Sequence, residues 1–271
     1  MTVTVAKGFV AAGVAAGLKK NGNKDVALVV NQGPLKAAAT VFTTNRCLAN
    51  PVLWSKQVIA DGEVEAIILN SGGANCYTGP EGFQTTHATA EKVAELLGVS
   101  AGDVLVCSTG LIGDQLDRPK LLAGVEAAAA NLNASNGQQA AEAIMTTDSV
   151  SKTACRTSNA GWSIGGMAKG AGMLAPGLAT MLVVITTDAS LDSDVLDATL
   201  RNATRVTFDR LDSDGCMSTN DTVALMASGA SGVAADVQEF QRLLTEVCQD
   251  LALQLLSDAE GSSHDIAIAV T

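Results

Sequence analysis

The sequence is poor in aromatic residues, in histidine and in regularly spaced cysteine. Phe, Trp and Tyr make up 3% of the 271 residues, so a core must be built mainly from Ala, Val, Leu and Ile. The two histidines, His87 and His264, are far apart in sequence and indicate no Ser-His-Asp arrangement. Because the six cysteines contain no C-x-x-C pair, neither a zinc site nor a disulfide framework is predicted, and reduced thiols are expected.

Concentrated positive charge and long apolar runs are also missing. The formal net charge is −11 and Lys and Arg form no cluster, which argues against nucleic acid as a partner. No apolar run approaches the ~20 residues that span a bilayer. The start of the chain, residues 1–17, lacks a basic segment before its apolar residues, so no secretion signal is predicted and a cytoplasmic location is expected.

Apolar periodicity predicts strands and helices mixed along the whole chain, without an internal repeat. Strands are predicted at 26–30, 38–42, 64–69, 104–107, 181–187, 223–226 and 266–270. Helices are predicted at 88–97 with Thr85 or Thr86 as the cap, from Pro119 to Leu132, from Asp192 or Ser193 toward Phe208, and from Val237 to Ala259. The predicted fold class is therefore α/β (α+β), with a substantial core.

The most informative segment runs from Lys169 through Gly170-Ala-Gly-Met-Leu-Ala-Pro-Gly-Leu-Ala179 to Thr180, and an apolar run follows it. If the chain were cut between Ala179 and Thr180, the new α-amine could serve as the base for the Thr180 hydroxyl. An α-amine titrates near pH ~7.7–8, so it can accept a proton at cellular pH. The ordinary alternative is a threonine that simply enters a strand after a loop. A dinucleotide-binding loop is rejected, because Pro176 stands where its helix should begin.

Other polar positions also allow both a functional and a structural interpretation from the residues alone. Thr109 and Gly110 end a predicted strand, where they could offer backbone N–H groups to an oxyanion or could form an ordinary turn. Lys169 could bind a carboxylate or be a solvated surface lysine. Glu260 could bind an ammonium group or be a charged helix end. Residues 218–221 are read as a structural Asx turn.

Ordered blocks along nearly the whole chain resemble the ornithine acetyltransferase family, the bifunctional glutamate N-acetyltransferases of arginine biosynthesis. The resemblance runs from Lys7-Gly-Phe9 to Asp258-Ala-Glu260-Gly261 and is specific because the blocks recur together in order. The blocks between these ends are Ala27–Pro34, Ile68–Asn75, Cys107–Gly113, Ile144–Asp148, Gly165–Gly170 and Ser218–Thr222.

The resemblance implies a self-cleaving fold of mixed sheets layered against helices, shared with β-aminopeptidases. Cleavage between Ala179 and Thr180 would give an α subunit, residues 1–179, and the N-terminal part of a β subunit, residues 180–271, within one intertwined fold. The resemblance also implies a heterotetramer of two α and two β chains. Its members continue past Thr271, so the sequence is expected to be C-terminally truncated relative to them.

The same resemblance implies the roles of particular residues. Thr180 would be the nucleophile, with Thr109 and Gly110 forming the oxyanion hole. Substrate would be bound by Thr146, Lys169, Thr180 and Glu260. No metal or cofactor is expected, although acetyl-CoA could act as a co-substrate. After Gly261 the family usually has a basic stretch, whereas this sequence has Ser262-Ser-His-Asp265.

The predicted reaction moves acetyl from N2-acetyl-L-ornithine to L-glutamate through an acetyl-threonine. One alternative is an aminopeptidase or amidohydrolase with an N-terminal nucleophile, although such enzymes typically carry serine at the cut. Another is an inactive, truncated fragment that only binds or assembles.

Overall fold

The computed structural model describes residues 2–173, 181–264 and 266–269. Over these residues the strands are β1 (Phe9–Val14), β2 (Val26–Asn31), β3 (Ala38–Phe42), β4 (Ala66–Asn70), β5 (Val104–Ser108), β6 (Lys152–Thr157), β7 (Ser163–Lys169), β8 (Leu182–Thr187) and β9 (Thr222–Ala227). The α-helices are α1 (Asn50–Val58), α2 (Gly79–Leu97), α3 (Arg118–Ala130), α4 (Gly137–Ala143), α5 (Ser193–Val206) and α6 (Val237–Ser257).

The strands form two mixed sheets. The four-stranded sheet has the order β1-β2-β4-β5, in which only β4 and β5 are parallel. The five-stranded sheet has the order β3-β9-β8-β7-β6, in which only β8 and β9 are parallel. The parallel pairs need crossover connections, and helices α2 and α5 lie in these two connections.

The two sheets pack face to face, and helices cover both outer faces. Val29, Ile67 and Leu105 of one sheet share a buried cluster with Val184 and Met226 of the other. On the far side of the four-stranded sheet, the cluster continues into α2 and α3. On the far side of the five-stranded sheet, it continues into α5 and α6. The result is a four-layer α-β-β-α arrangement, which confirms the predicted fold class.

This layering explains why the strands read as continuous apolar runs. In β8, Leu182 and Val184 face the other sheet, whereas Val183 and Ile185 face α5 and α6. Because both faces are buried, no polar alternation is needed. The six strands predicted before residue 227 are all present, with ends that differ by up to two residues.

The helix predictions are mostly confirmed. Helix α5 begins after Asp192, whose side chain accepts from the Val195 N–H, and α6 ends two residues before the predicted end. The predicted start of α2 is wrong: the helix begins at Gly79 with Pro80 in its first turn, and Thr85 lies within it. There the Thr85 hydroxyl donates to the Glu81 carbonyl, four residues earlier. Pro80 fits a helix start because its fixed φ is helical and its missing N–H would have no partner there.

The strand predictions fail in two ways: one predicted strand is absent, and three strands were not predicted. The strand expected at 266–270 is absent over residues 266–269, which lie exposed without a sheet partner among the described residues. Strands β1, β6 and β7 were missed. Strand β7 contains Gly165 and Gly166, which lower strand propensity. A Cβ at Gly165 would lie 2.2 Å from the Thr2 carbonyl oxygen, so close packing requires glycine there.

Among the described residues, none of the helices combines the length and the apolar character needed to cross a membrane.

Candidate active site

A cavity of about 530 Å³ lies where the ends of β5 and β7 meet the loop after α4 and the loop after α6. Five of the residues singled out in the sequence line it: Thr109, Gly110, Thr146, Lys169 and Glu260. They come from four segments that are distant in sequence. The fold therefore brings the predicted polar groups together in one cavity.

Thr109 and Gly110 follow the last residue of β5 and turn the chain sharply. The Thr109 N–H donates to the Asn70 carbonyl at 2.9 Å. It is therefore not free to bind an oxyanion, which was one of the two interpretations of the sequence. Among the described residues no acceptor takes the Gly110 N–H. Gly110 has φ +132°, and a Cβ there would lie 2.9 Å from both N and Cα of Gly73. The available donors are thus the Thr109 hydroxyl and the Gly110 N–H.

Lys169 ends β7 and is 2% exposed. Its Nζ donates to the Thr109 Oγ1 at 3.2 Å, which links the two sheets at the cavity. Burial lowers the pKa of Lys169 to about 8, although Asp148 opposes this shift. A buried ammonium with one neutral hydroxyl partner can still bind an anion, so Lys169 suits a carboxylate ligand rather than the surface role that was its alternative.

Thr146 lies in the loop after α4 and is held by Asp148. The Thr146 N–H donates to Asp148 Oδ2 at 2.9 Å, and the Gly170 N–H donates to Asp148 Oδ1 at 2.6 Å. Burial raises the pKa of Asp148, but the nearby Lys169 and Lys152 outweigh it, so the net pKa is lowered. The ionised Asp148 therefore joins the Thr146 loop to the segment that follows Lys169.

Glu260 lies in the loop after α6 and is exposed at the cavity. Its N–H donates to the Ala171 carbonyl at 2.6 Å. A Cβ built on Gly172 would lie 2.9 Å from Glu260 Oε2. Glycine at 172 thus leaves room for this carboxylate, which is the negative charge among the described cavity residues.

Residues 218–221 directly precede β9 and make hydrogen bonds to the end of β5 and to the residue before β8. The Asn220 N–H donates to Ser218 Oγ, so the turn is closed by serine rather than by an Asx side chain. Asn220 Nδ2 donates to the carbonyls of Ala74 and Ser108. Asp221 Oδ1 accepts from the Met181 N–H at 3.0 Å, and no described residue donates to its buried Oδ2. Burial raises the pKa of Asp221 well above its usual range.

The predicted nucleophile and cleavage site, Thr180 and Ala179, lie outside the described residues. The described neighbour is Met181, which directly precedes β8. Strand pairing places Leu182 opposite Lys169, so β8 begins beside the end of β7 at the cavity.

Three lysines at or beside the site, Lys19, Lys20 and Lys152, were not singled out from the sequence, and Lys20 is exposed. Lys19 lines the cavity, and Lys152 is fully buried beside Asp148 and Asp258. The sequence gives only a weak signal for Lys19 and Lys152, because a lysine at a strand end or in a loop is usually exposed. Within the described ranges, no group of three or more His, Cys, Asp or Glu side chains is placed to hold a metal ion.

Comparisons with known proteins show which family the chain resembles in sequence. A model of the ArgJ family matches residues 10–271. The arginine biosynthesis bifunctional protein ArgJ of Streptomyces coelicolor is 63% identical over 270 residues, which cover 100% of this chain and 70% of that protein.

Solved structures extend the comparison to the fold. The ornithine acetyltransferase of Mycobacterium tuberculosis, determined in complex with ornithine, is 53% identical with a TM-score of 0.64. The match covers 67% of this chain and 96% of that chain. A Burkholderia sp. β-aminopeptidase is 15% identical with a TM-score of 0.60, covering 95% of this chain and 86% of that one. At that identity the likeness concerns the fold alone.

Proposed function

The chain belongs to the ArgJ family, an acyltransferase family of arginine biosynthesis, and on this premise we propose that it transfers acetyl from N2-acetyl-L-ornithine to L-glutamate through Thr180. The observation that carries the proposal is the single cavity that collects Thr109, Gly110, Thr146, Lys169 and Glu260. The cavity offers both charge signs, as amino-acid substrates require.

The chemistry begins with cleavage of the Ala179–Thr180 bond. The Thr180 hydroxyl attacks the Ala179 carbonyl, and the C–N bond then breaks, which frees the α-amine of Thr180 and leaves an ester. Water hydrolyses this ester, so that Ala179 ends in a carboxylate and Thr180 regains its hydroxyl. That amine can then take the hydroxyl proton, because its ordinary pKa is near ~8. Two polypeptides result, residues 1–179 and the segment from 180 onward.

One observation supports a break at this point. The Mycobacterium tuberculosis match covers 67% of 271 residues, about 180 residues, although it spans 96% of that chain. A polypeptide that ended at residue 179 would account for this length.

In the first half-reaction, Thr180 Oγ attacks the acetyl carbonyl of N-acetylornithine. The Thr109 hydroxyl and the Gly110 N–H donate to the tetrahedral oxyanion. The C–N bond then breaks, the proton held by the α-amine passes to the leaving nitrogen, and ornithine departs. Glutamate reverses these steps with its own amino group. Lys169 binds the α-carboxylate of either substrate, Thr146 contacts it, and Glu260 faces an ammonium group.

Several finer points belong to the same proposal. Acetyl-CoA as a second donor would make the enzyme bifunctional, and no resident cofactor is needed for these steps. A cytoplasmic location is supported by the six cysteines, which are all free, as expected in a reducing compartment. We also expect a heterotetramer of two α and two β chains, which native mass spectrometry would detect.

The test combines intact-mass spectrometry with product analysis. The wild-type protein should show two polypeptides that join at 179/180, and it should form acetylglutamate from N-acetylornithine only when glutamate is present. Thr180→Ala should abolish both cutting and transfer, whereas Thr180→Ser should retain cutting. Acetate release without acetylglutamate would indicate a hydrolase. An uncut wild-type chain without activity would refute the proposal.

A further inference from the structure

The cavity contains more charged side chains than the proposed substrate contacts require. Its described charged residues are Lys19, Lys20, Lys169 and Glu260, three cations and one anion. Lys169 and Glu260 account for one charge of each sign. Lys20 is exposed at the edge of the cavity, whereas Lys19 is half-buried.

Lys19 is held in place by its backbone and by its side chain. The N–H groups of Leu18 and Lys19 both donate to Asp25 Oδ2, at 2.6 and 3.0 Å. The Lys19 Nζ donates to the carbonyls of Lys24 and Met145, at 2.8 and 2.6 Å. Asp25 itself is completely buried, so the loop that carries Lys19 is anchored to the interior.

An ammonium group can donate three hydrogen bonds, and two of those of Lys19 go to carbonyls. No side-chain acceptor among the described residues takes the third. Burial lowers the pKa of Lys19, and the charges of Asp25 and Asp148 oppose that shift. Lys19 is therefore a fixed cation that lacks a directly bonded carboxylate partner within the described part of the chain, unlike Lys152.

The proposed reaction gives this cation a use, because its two amino acids carry opposite charges at their side-chain ends. Ornithine leaves with a δ-ammonium, whereas glutamate enters with a γ-carboxylate. A cavity with only Glu260 beside the side-chain end would repel the acceptor. A second, positive group is needed if the same acetyl-enzyme is to prefer glutamate.

Resting on the proposed function, we propose that Lys19 binds the γ-carboxylate of the acceptor glutamate and so sets acceptor specificity. The donor has an ammonium rather than a carboxylate at that end, so Lys19 adds nothing to the binding of N-acetylornithine and its loss should not weaken the donor step. The contact is charge-assisted and partly screened from water, which makes it stronger than an exposed ion pair.

The test separates the two half-reactions in Lys19→Gln, which keeps an N–H donor for the two carbonyls but loses the charge. Rapid-mixing experiments give ornithine release from N-acetylornithine, and steady-state assays give kcat and KM for glutamate. We expect the donor step to change less than about twofold and the KM for glutamate to rise roughly 10- to 100-fold, as for loss of a charged hydrogen bond. Lys19→Arg should restore most of the affinity, and Lys20→Gln is the matched control at the exposed edge.

Glutamine serves as a second probe, since it has nearly the shape of glutamate without the γ charge. Wild-type enzyme should prefer glutamate strongly, and Lys19→Gln should remove most of that preference. An equal loss in both half-reactions, or an unchanged preference for glutamate, would overturn the role of Lys19. Absence of acetylglutamate formation by the wild type would instead refute the proposed function, before any variant is compared.

Discussion

Lys152 offers a direct test of how the site is built, because it is fully buried between two carboxylates. Its Nζ lies 2.7 Å from Asp148 Oδ1 and 2.5 Å from Asp258 Oδ2. The side chains of Lys152 and Asp148 have no exposed surface, and that of Asp258 is 11% exposed. We predict that Lys152→Met destabilises the protein strongly, since it leaves Asp148 buried without its partner.

Breaking a buried ion pair by removing one partner costs about 3–5 kcal/mol. Asp258 can regain some contact with water, which favours the lower end, about 3 kcal/mol. For a chain of this size each kcal/mol lowers Tm by roughly 2–4 °C, so a decrease of about 6–12 °C is expected. Calorimetry on the wild type and the variant under identical conditions measures it.

The matched control is Arg242→Met, which removes an ion pair to Glu246 between exposed side chains. Such pairs contribute about 0–1 kcal/mol, so its Tm should fall by no more than about 4 °C. Activity gives a second readout. Asp148 also holds the N–H groups of Thr146 and Gly170, so Lys152→Met should lower kcat/KM for N-acetylornithine. A variant with wild-type Tm would refute the reasoning, because it would mean that the two carboxylates are satisfied without the lysine.

Three further predictions concern residues that line the cavity. Because the pKa of Lys169 is lowered to about 8 in the folded protein, its ammonium is lost above that pH, and the KM for carboxylate substrates should rise there. A series of KM measurements against pH checks this, and Lys169→Arg should lack the inflection because arginine stays charged. The same lowered pKa reduces the free energy of unfolding below pH 8. Between pH 8 and 10.5, the ordinary pKa of lysine, the unfolded chain binds more protons than the folded one, so this free energy should rise with pH. Urea titrations at several pH values measure the trend. Gly110→Ala would place a Cβ against Gly73 and shift the N–H, so kcat should fall at least about 100-fold with a smaller change in KM; an unchanged kcat would remove this N–H from the oxyanion hole.

The sequence predicted the fold class and most central strands, because strands buried on both faces produce continuous apolar runs that are easy to recognise. It missed β1 and β7, where Ala and Gly replace the usual β-branched residues. At Gly13, a Cβ would lie 1.9 Å from the Gln139 carbonyl oxygen. That requirement is set by the close packing of α4 on β1, which local propensity does not contain.

The amino-acid order by itself determined the family and which residues to examine, since ordered blocks and the Ala179–Thr180 junction are properties of the chain. Only the tertiary structure decided that Thr109 offers its hydroxyl rather than its N–H, because the partner of that N–H, the Asn70 carbonyl, is 39 positions away. It alone also revealed Lys19 and Lys152. Charge and burial at these positions depend on segments far apart in sequence, and only folding brings those segments into contact.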